Sequence, residues 1–317
     1  MFMLAPAIIA AYEHNATVVL VQNSKNAQNK SDCEWADWLR DIFQYFNSSA
    51  PLLPAKMMSD WWNFGEPGFT LYTSNYYKPE VNYTVAGYRQ TWKYLETESQ
   101  QTAARQAFKF TSRYRTFATN TIASVKAKFN STDALIVGVH MRIGDLVDKR
   151  RLDYGYVMAK PNFYKAAIDK ATQIINTTNI ILMVASDTIQ EAKKMLTSSN
   201  LTSIYRVHFL HGSAFEDFAT LTKCDHTIIS GGTYGWWAAW LAGGKTFYHG
   251  NFSKPGSSFA KGFSNENFYC PDWIPVYSEP PLPAANSMDP RDVILPGGVN
   301  CTSCLTGKQL VTVQKGL

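Results

Sequence analysis

From about residue 130 onward, apolar runs and helical stripes alternate along the chain. Ala134–Val139 is an unbroken apolar, β-branched run behind the turn-prone Ser131-Thr132-Asp133, the pattern of a strand buried on both faces. Pro161 stands where a first helical residue would, and Phe163, Ala167, Ile168, Ala171, Ile174 and Ile175 then share one helical face. Ile180–Val184 predicts a strand ending in Ser186-Asp187, Ile189–Leu196 a helix, and Ile204–Leu210 the next strand. Ser213-Ala214-Phe215-Glu216 has the form of a capping box and opens a helix running to Cys224. Thr227–Ile229 predicts a strand, Ser230-Gly231-Gly232-Thr233 a tight turn, Tyr234–Ala242 an aromatic-rich helix, and Thr246–His249 a further strand. This alternation places residues 131–277 in the α/β class, as a doubly wound parallel sheet.

The first 130 residues are less regular. Met3–Tyr12 predicts a helix and Thr17–Val21 a strand, and Trp35, Trp38, Leu39, Ile42, Phe43 and Phe46 recur at helical spacing. Residues 47–85 mix Pro, Gly, Asn and aromatics, with a short strand expected at Phe69–Thr73. Phe110, Tyr114, Phe117, Ile122, Val125 and Phe129 mark a long amphipathic helix leading to the 134–139 strand, with the domain boundary expected near 130. Residues 278–317, rich in Pro and Gly, are expected to be irregular.

Length and composition narrow the picture further. At 317 residues the chain can hold two domains, and 45% hydrophobic content is that of a globular protein. A net charge of +5 without a dense Lys/Arg block gives no nucleic-acid footprint. Nine Asn-x-Ser/Thr sequons occur, at Asn15, Asn29, Asn47, Asn82, Asn130, Asn176, Asn200, Asn251 and Asn300. Chance would give roughly three, so the excess points to a lumenal or secreted glycoprotein. Of the five cysteines, Cys301 and Cys304 have disulfide spacing near the C-terminus, without a second pair at zinc spacing; Cys33, Cys224 and Cys270 complete the odd count. No run of about 18 apolar residues occurs, and the opening MFMLAPAIIAAY runs into a strand-like segment, so it is expected to be a core helix.

Candidate chemistry gathers at strand ends. His140, Arg142, Gly144 and Asp145 follow the 134–139 strand, and the carboxyl edge of an open α/β sheet is where ligands bind. Arg142 offers a planar fork of donors for an oxyanion, or a structural ion pair with Asp145. The Ser230–Thr233 turn opens a helix and presents backbone N–H groups to an anion, so with Arg142 it forms a candidate diphosphate cradle. Ser186-Asp187 ends a third strand. Gly244-Lys245-Thr246 fails as a phosphate loop, since Ala239 stands where its first glycine is required. Neither GxGxxG after a strand, nor HExxH, nor Asp-x-Asp occurs, so a dinucleotide fold, zinc hydrolysis and a metal-held nucleotide sugar are not expected.

Three segments together resemble the family 11 α-1,2-fucosyltransferases. VGVHMRIGD at Val137–Asp145 is similar to that family's HxRRxD-like signature, and VASD at Val184–Asp187 to its strand ending in Ser-Asp. The most specific is CDHTIISGGTYGWWAAWLAGG, from Cys224 to Gly244. The resemblance implies a GT-B-like α/β fold of two Rossmann-like domains: an acceptor-side domain over 1–130 and a donor domain over 131–277. It implies GDP-fucose as donor, a galactose-terminated glycan as acceptor, and inverting transfer of L-fucose to the galactose 2-hydroxyl without metal or other cofactor. Carried over by position, Arg142 would grip the diphosphate with His140 beside it, and Ser186 and Asp187 would contact the nucleotide. Ser230, Gly231, Thr233 and Tyr234 would close around phosphate and fucose, with Asp145 or His140 as the base.

Two departures stand out. The signature's second arginine is Ile143 here, which leaves Arg142 and the helix end to hold the diphosphate. Met1-Phe2 looks like the end of the family's Gly-rich GxLGNxMF turn, so an upstream strand, membrane anchor and cytosolic tail are expected, as for a type II Golgi protein. The alternative readings are a catalytically silent glycan- or nucleotide-binding member, or a fucosyltransferase of another linkage.

Overall fold

The computed structural model describes residues 1–2, 4–13, 16–22, 39–48, 52–54, 62–64, 83–85, 88–278 and 311–315. They fall into two compact units. One takes Met1–Thr111, Gly262–Phe268 and Met288–Leu317; the other takes Ser112–Lys261 and Tyr269–Ser287. The amphipathic helix Ser112–Lys128 packs against the helix Ala214–Leu221, so it counts with the second unit, although its sequence position precedes the boundary expected near 130.

In the first unit the helix Leu4–Glu13 is buried from Leu4 to Ala11 on every side, as an apolar segment without charged positions requires. It packs on a mixed five-stranded sheet of order β2-β1-β11-β4-β3. These strands are β1 (Ala16–Gln22), β2 (Leu52–Pro54), β3 (Trp62–Phe64), β4 (Tyr83–Val85) and β11 (Val311–Lys315). β1 pairs with β2 and β3 with β4 in parallel, while β11 runs antiparallel between β1 and β4. The tail expected to be irregular therefore contributes a strand, built on the β-branched Val311-Thr312-Val313. Ile42, Phe43 and Phe46 are buried and meet Phe108 and Phe110 in an aromatic cluster. Trp35, Trp38, the strand expected at Phe69–Thr73, and Cys33, Cys301 and Cys304 lie outside the described residues.

The second unit is the doubly wound sheet that the alternation predicts. Six strands, all parallel, run in the order β10-β9-β8-β5-β6-β7. They are β5 (Leu135–Met141), β6 (Ile180–Ser186), β7 (Arg206–Phe209), β8 (His226–Ile229), β9 (Thr246–His249) and β10 (Ile274–Val276). Alternate residues of β5 serve opposite faces. Val137, Val139 and Met141 join Phe163, Ala167 and Ile168 of the helix Pro161–Ile175 in one core. Gly138 faces Leu221 and Cys224 on the other side, where a β-carbon would meet the Cys224 sulfur at 3.0 Å. From β5 the chain steps to β6 and β7 on one side, then returns to β8 on the other. The order of strands thus reverses between β5 and β8, and the crevice beyond their carboxyl ends is where such sheets bind ligands. Among the described residues no helix is long and apolar enough to cross a membrane.

Candidate functional site

β5 ends in a tightly tied corner. The Arg142 N–H donates to Ser230 Oγ at 2.8 Å, and the Ser230 N–H donates to the His140 carbonyl at 3.2 Å. Ser230 is 0% exposed. The family resemblance would set it against phosphate and fucose; here the buried hydroxyl clasps the ends of β5 and β8.

The loop after β5 is braced from the other neighbour. Asp187, one residue past β6, accepts from the Ile143 N–H at 2.9 Å and the Gly144 N–H at 3.0 Å. Ser186 Oγ accepts from the Thr188 N–H at 3.1 Å and so shapes the turn that carries Asp187. Ile143 itself is buried in the main core, so its side chain points away from the crevice.

Arg142 leaves this corner with its fork already engaged. Nε donates to Asp145 Oδ1 at 2.9 Å and Nη2 to Asp145 Oδ2 at 2.6 Å, while 23% of the side chain stays exposed. The third guanidinium nitrogen passes over the glycine turn, where a β-carbon built on Gly232 would lie 2.8 Å from Nη1. Gly232 adopts φ +82 and Gly231 φ +126, a conformation that L side chains rarely take. A β-carbon on Gly231 would also run into the Phe252 ring.

Gly232 caps the helix Thr233–Ala242 without a side-chain hydrogen bond, and the positive dipole end of that helix lies beside Arg142. Thr233 is exposed at that end. Tyr234 is half-buried and held by neighbours. Its hydroxyl donates to the Ala214 carbonyl at 2.6 Å, and its ring lies between His140 and Phe218, each centroid 5.1 Å away. Burial pushes that phenol well above its usual range. Trp236, Trp237 and Trp240 are buried packing, as their spacing predicts.

The two acid–base candidates are poorly placed to accept a proton. Hydrogen bonding from Arg142 holds the Asp145 carboxyl below its usual range, so it stays ionised but weakly basic. His140 is 7% exposed, stacked under Tyr234 with Nδ1 against the Gly235 backbone. Burial, and after it the Arg142 charge, pushes its pKa down to about 4. It is neutral at pH 7 and packed as part of the core.

Two neighbours have no periodic signal in the sequence. Arg151, on the helix Lys149–Tyr154, approaches the same Asp145 carboxylate at 3.7 Å. Tyr156 is buried beneath both cations, its ring centroid 5.7 Å from the Arg142 guanidinium carbon and 5.5 Å from that of Arg151. The structure thus gathers Arg142, Asp145, Asp187, Gly231, Gly232, Thr233 and Arg151 at the reversal of the sheet, with His140, Ser230 and Tyr234 beneath them as support.

Comparison with known proteins identifies the family. Residues 61–277 match the family described as "Glycosyl transferase family 11". "Galactoside 2-alpha-L-fucosyltransferase Sec1" of Mus musculus is 34% identical over 149 residues, covering 47% of this chain and 40% of that protein. "Galactoside alpha-(1,2)-fucosyltransferase 2" of Rattus norvegicus is 32% identical over 154 residues, covering 46% and 41%. The matched segment is thus less than half the length of these curated relatives. Among solved structures, POFUT1 in complex with GDP overlaps 78% of this chain and 94% of its own at 12% identity and a TM-score of 0.41, too loose to bear on the site. With 61–277 spanning more than half its length, the chain belongs to glycosyl transferase family 11.

Proposed function

We propose that this protein transfers L-fucose from GDP-β-L-fucose to the 2-hydroxyl of a terminal galactose on a glycan, by a single inverting displacement and without a metal. The observation that carries this reading is the placement of Arg142 over Gly232, beside the open N-terminus of the helix Thr233–Ala242, where β5 and β8 diverge. The names of the relatives, galactoside 2-alpha-L- and alpha-(1,2)-fucosyltransferases, support the acceptor and the linkage.

Breaking the fucose–phosphate bond leaves negative charge on GDP and oxocarbenium character on the sugar. Arg142 Nη1 and the first-turn N–H groups are fixed donors aimed at one place, so they favour the departing diphosphate without reorganising. Arg151 adds a second guanidinium where the segment after β5 offers only Ile143. Attack of the acceptor oxygen from the opposite side turns the β-linked donor into an α-linked product. Neither Asp145 nor His140 is the base in this scheme; the acceptor proton passes to water on the acceptor side of the sugar, away from the leaving GDP. Asp145 instead orients Arg142, and His140 supports Tyr234.

The test is fucose transfer from GDP-fucose to a β-galactoside in excess chelator, with linkage analysis of the product. An α-1,2 product supports the reading. GDP binding without transfer would instead favour a silent binding protein, a reading to which the occupation of Arg142 Nε and Nη2 by Asp145 lends weight.

A further inference from the structure

The opposite edge of the same sheet carries a pattern that the transfer chemistry does not use. Among the described residues, the non-glycine positions with positive φ are Arg89, Asn130, Asn176 and Asn200. Asn130 and Asn176 close helix-to-strand turns and Asn200 the turn between the helices Ile189–Ser198 and Leu201–Ile204, and Asn readily adopts this conformation. The turn alone accounts for Asn. It does not account for the hydroxyl that follows two residues later in every case: Thr132, Thr178 and Thr202.

The middle residue of each triplet faces the protein. Ser131 is buried and its hydroxyl donates to Asn179 Oδ1 at 3.2 Å; Thr177 Oγ1 accepts from the Asn179 N–H at 3.1 Å; Leu201 is 0% exposed. With the middle residue anchored inward, Asn130, Asn176 and Asn200 are all exposed. Asn130 and Asn176 lie just before β5 and β6, and Asn200 opens the short helix Leu201–Ile204 that leads into β7; the three strands are consecutive neighbours in the sheet. Asn179 fixes their loops into one surface, since its amide also donates to Asp133 Oδ2 at 2.9 Å and accepts from Arg206 Nη2 at 2.6 Å. A fourth sequon behaves differently. Asn251 has a buried Oδ1, Phe252 is buried after it, and Ser253 has a buried Oγ. It follows β9, on the carboxyl edge that holds the candidate site.

We propose that the amino edge of the parallel sheet is a glycan-bearing face, N-glycosylated at Asn130, Asn176 and Asn200, and that Asn251 stays unmodified. Three glycans then cover the side of the unit opposite the transfer site and leave the carboxyl edge clear. This placement does not depend on the transfer reaction, so it stands or falls separately.

The experiment is secretion of the chain from insect cells behind a cleavable signal, followed by enzymatic deglycosylation in heavy-oxygen water and peptide mass spectrometry. Expected is the isotope-marked Asn-to-Asp conversion at positions 130, 176 and 200 and none at 251. Thr132→Ala, Thr178→Ala and Thr202→Ala leave each turn asparagine in place, so each should remove one mobility step on a gel without changing the melting temperature. An unmarked Asn130, Asn176 or Asn200 in secreted protein, or a marked Asn251, would overturn the proposal.

Discussion

The two edges of the six-stranded sheet are held together in the same way and do different things. At the amino edge one polar side chain, Asn179, ties the loops before β5, β6 and β7. At the carboxyl edge one polar side chain, Asp187, ties the loop after β5 to the end of β6. What distinguishes the edges is what the ties hold in place. The carboxyl edge holds Arg142 and Arg151 beside a glycine turn and an open helix end; the amino edge holds turns that project asparagines. Chemistry in this unit therefore comes from the strands' direction and the reversal at β5 and β8, more than from unusual bracing.

The comparison predicts a graded series of effects. The largest is at the carboxyl edge. Arg142→Ala should lower kcat/KM for GDP-fucose by about 10²–10³-fold, as loss of a fixed transition-state donor does. Its melting temperature should stay close to wild type, because the partly exposed pair with Asp145 contributes about 1 kcal/mol or less. A variant that unfolds early instead would make Arg142 a structural residue.

Next comes acid stability. His140 and His249 are buried with folded pKa values of about 4, below the ordinary value of 6.5. Groups held neutral in this way take up protons more readily in the unfolded chain, so the stability they contribute is present above pH 6.5 and is lost as pH falls from 6.5 toward 4. Unfolding in denaturant across that window should show a loss of a few kcal/mol. His140→Gln should flatten the slope, and an unchanged slope would show that His140 does not titrate across it.

Smaller effects separate the ties themselves. Asn179→Ala should cost about 1–2 kcal/mol of stability while leaving kcat/KM unaltered, because the loops it joins lie away from the site. Asp187→Ala should cost about 1 kcal/mol and also reduce kcat/KM, since Ile143 and Gly144 set the path of Arg142 and Asp145. Equal kinetics in the two variants would remove the distinction between the edges. Gly232→Ala should likewise cost about 1 kcal/mol, from its positive φ. There the added methyl, pressed against Arg142, should raise KM for GDP-fucose more than it lowers kcat.

Much of this unit was legible in its sequence. β5, β6, β8 and β9 are short apolar runs bounded by turn residues, and strand ends on a parallel sheet must share an edge, so Arg142 and the Ser230–Thr233 turn could be brought together by topology alone. Less legible were the choices each side chain makes among partners within reach. Nothing in a linear pattern says that Tyr234 gives its hydroxyl to Ala214, or that Ser230 is spent on a backbone N–H. Arg151 and Tyr156 lie in a stretch without hydrophobic periodicity and meet Arg142 only through folding. β11 was obscured for a related reason: its partners β1 and β4 are more than 200 residues away, and the Pro- and Gly-rich segment before it dominates the local signal. β10 is cut short by Pro275, which hides its strand character.

The hydrogen bond from Tyr234 to Ala214 has one more implication. It rivets the first turn of the helix Thr233–Ala242 to the start of its neighbour Ala214–Leu221, so the end of the helix that faces an anion has no hinge of its own. By contrast, the short helix Lys149–Tyr154 that carries Arg151 has no buried side chain to hold it, so of the two helices beside Arg142 it is the one free to shift.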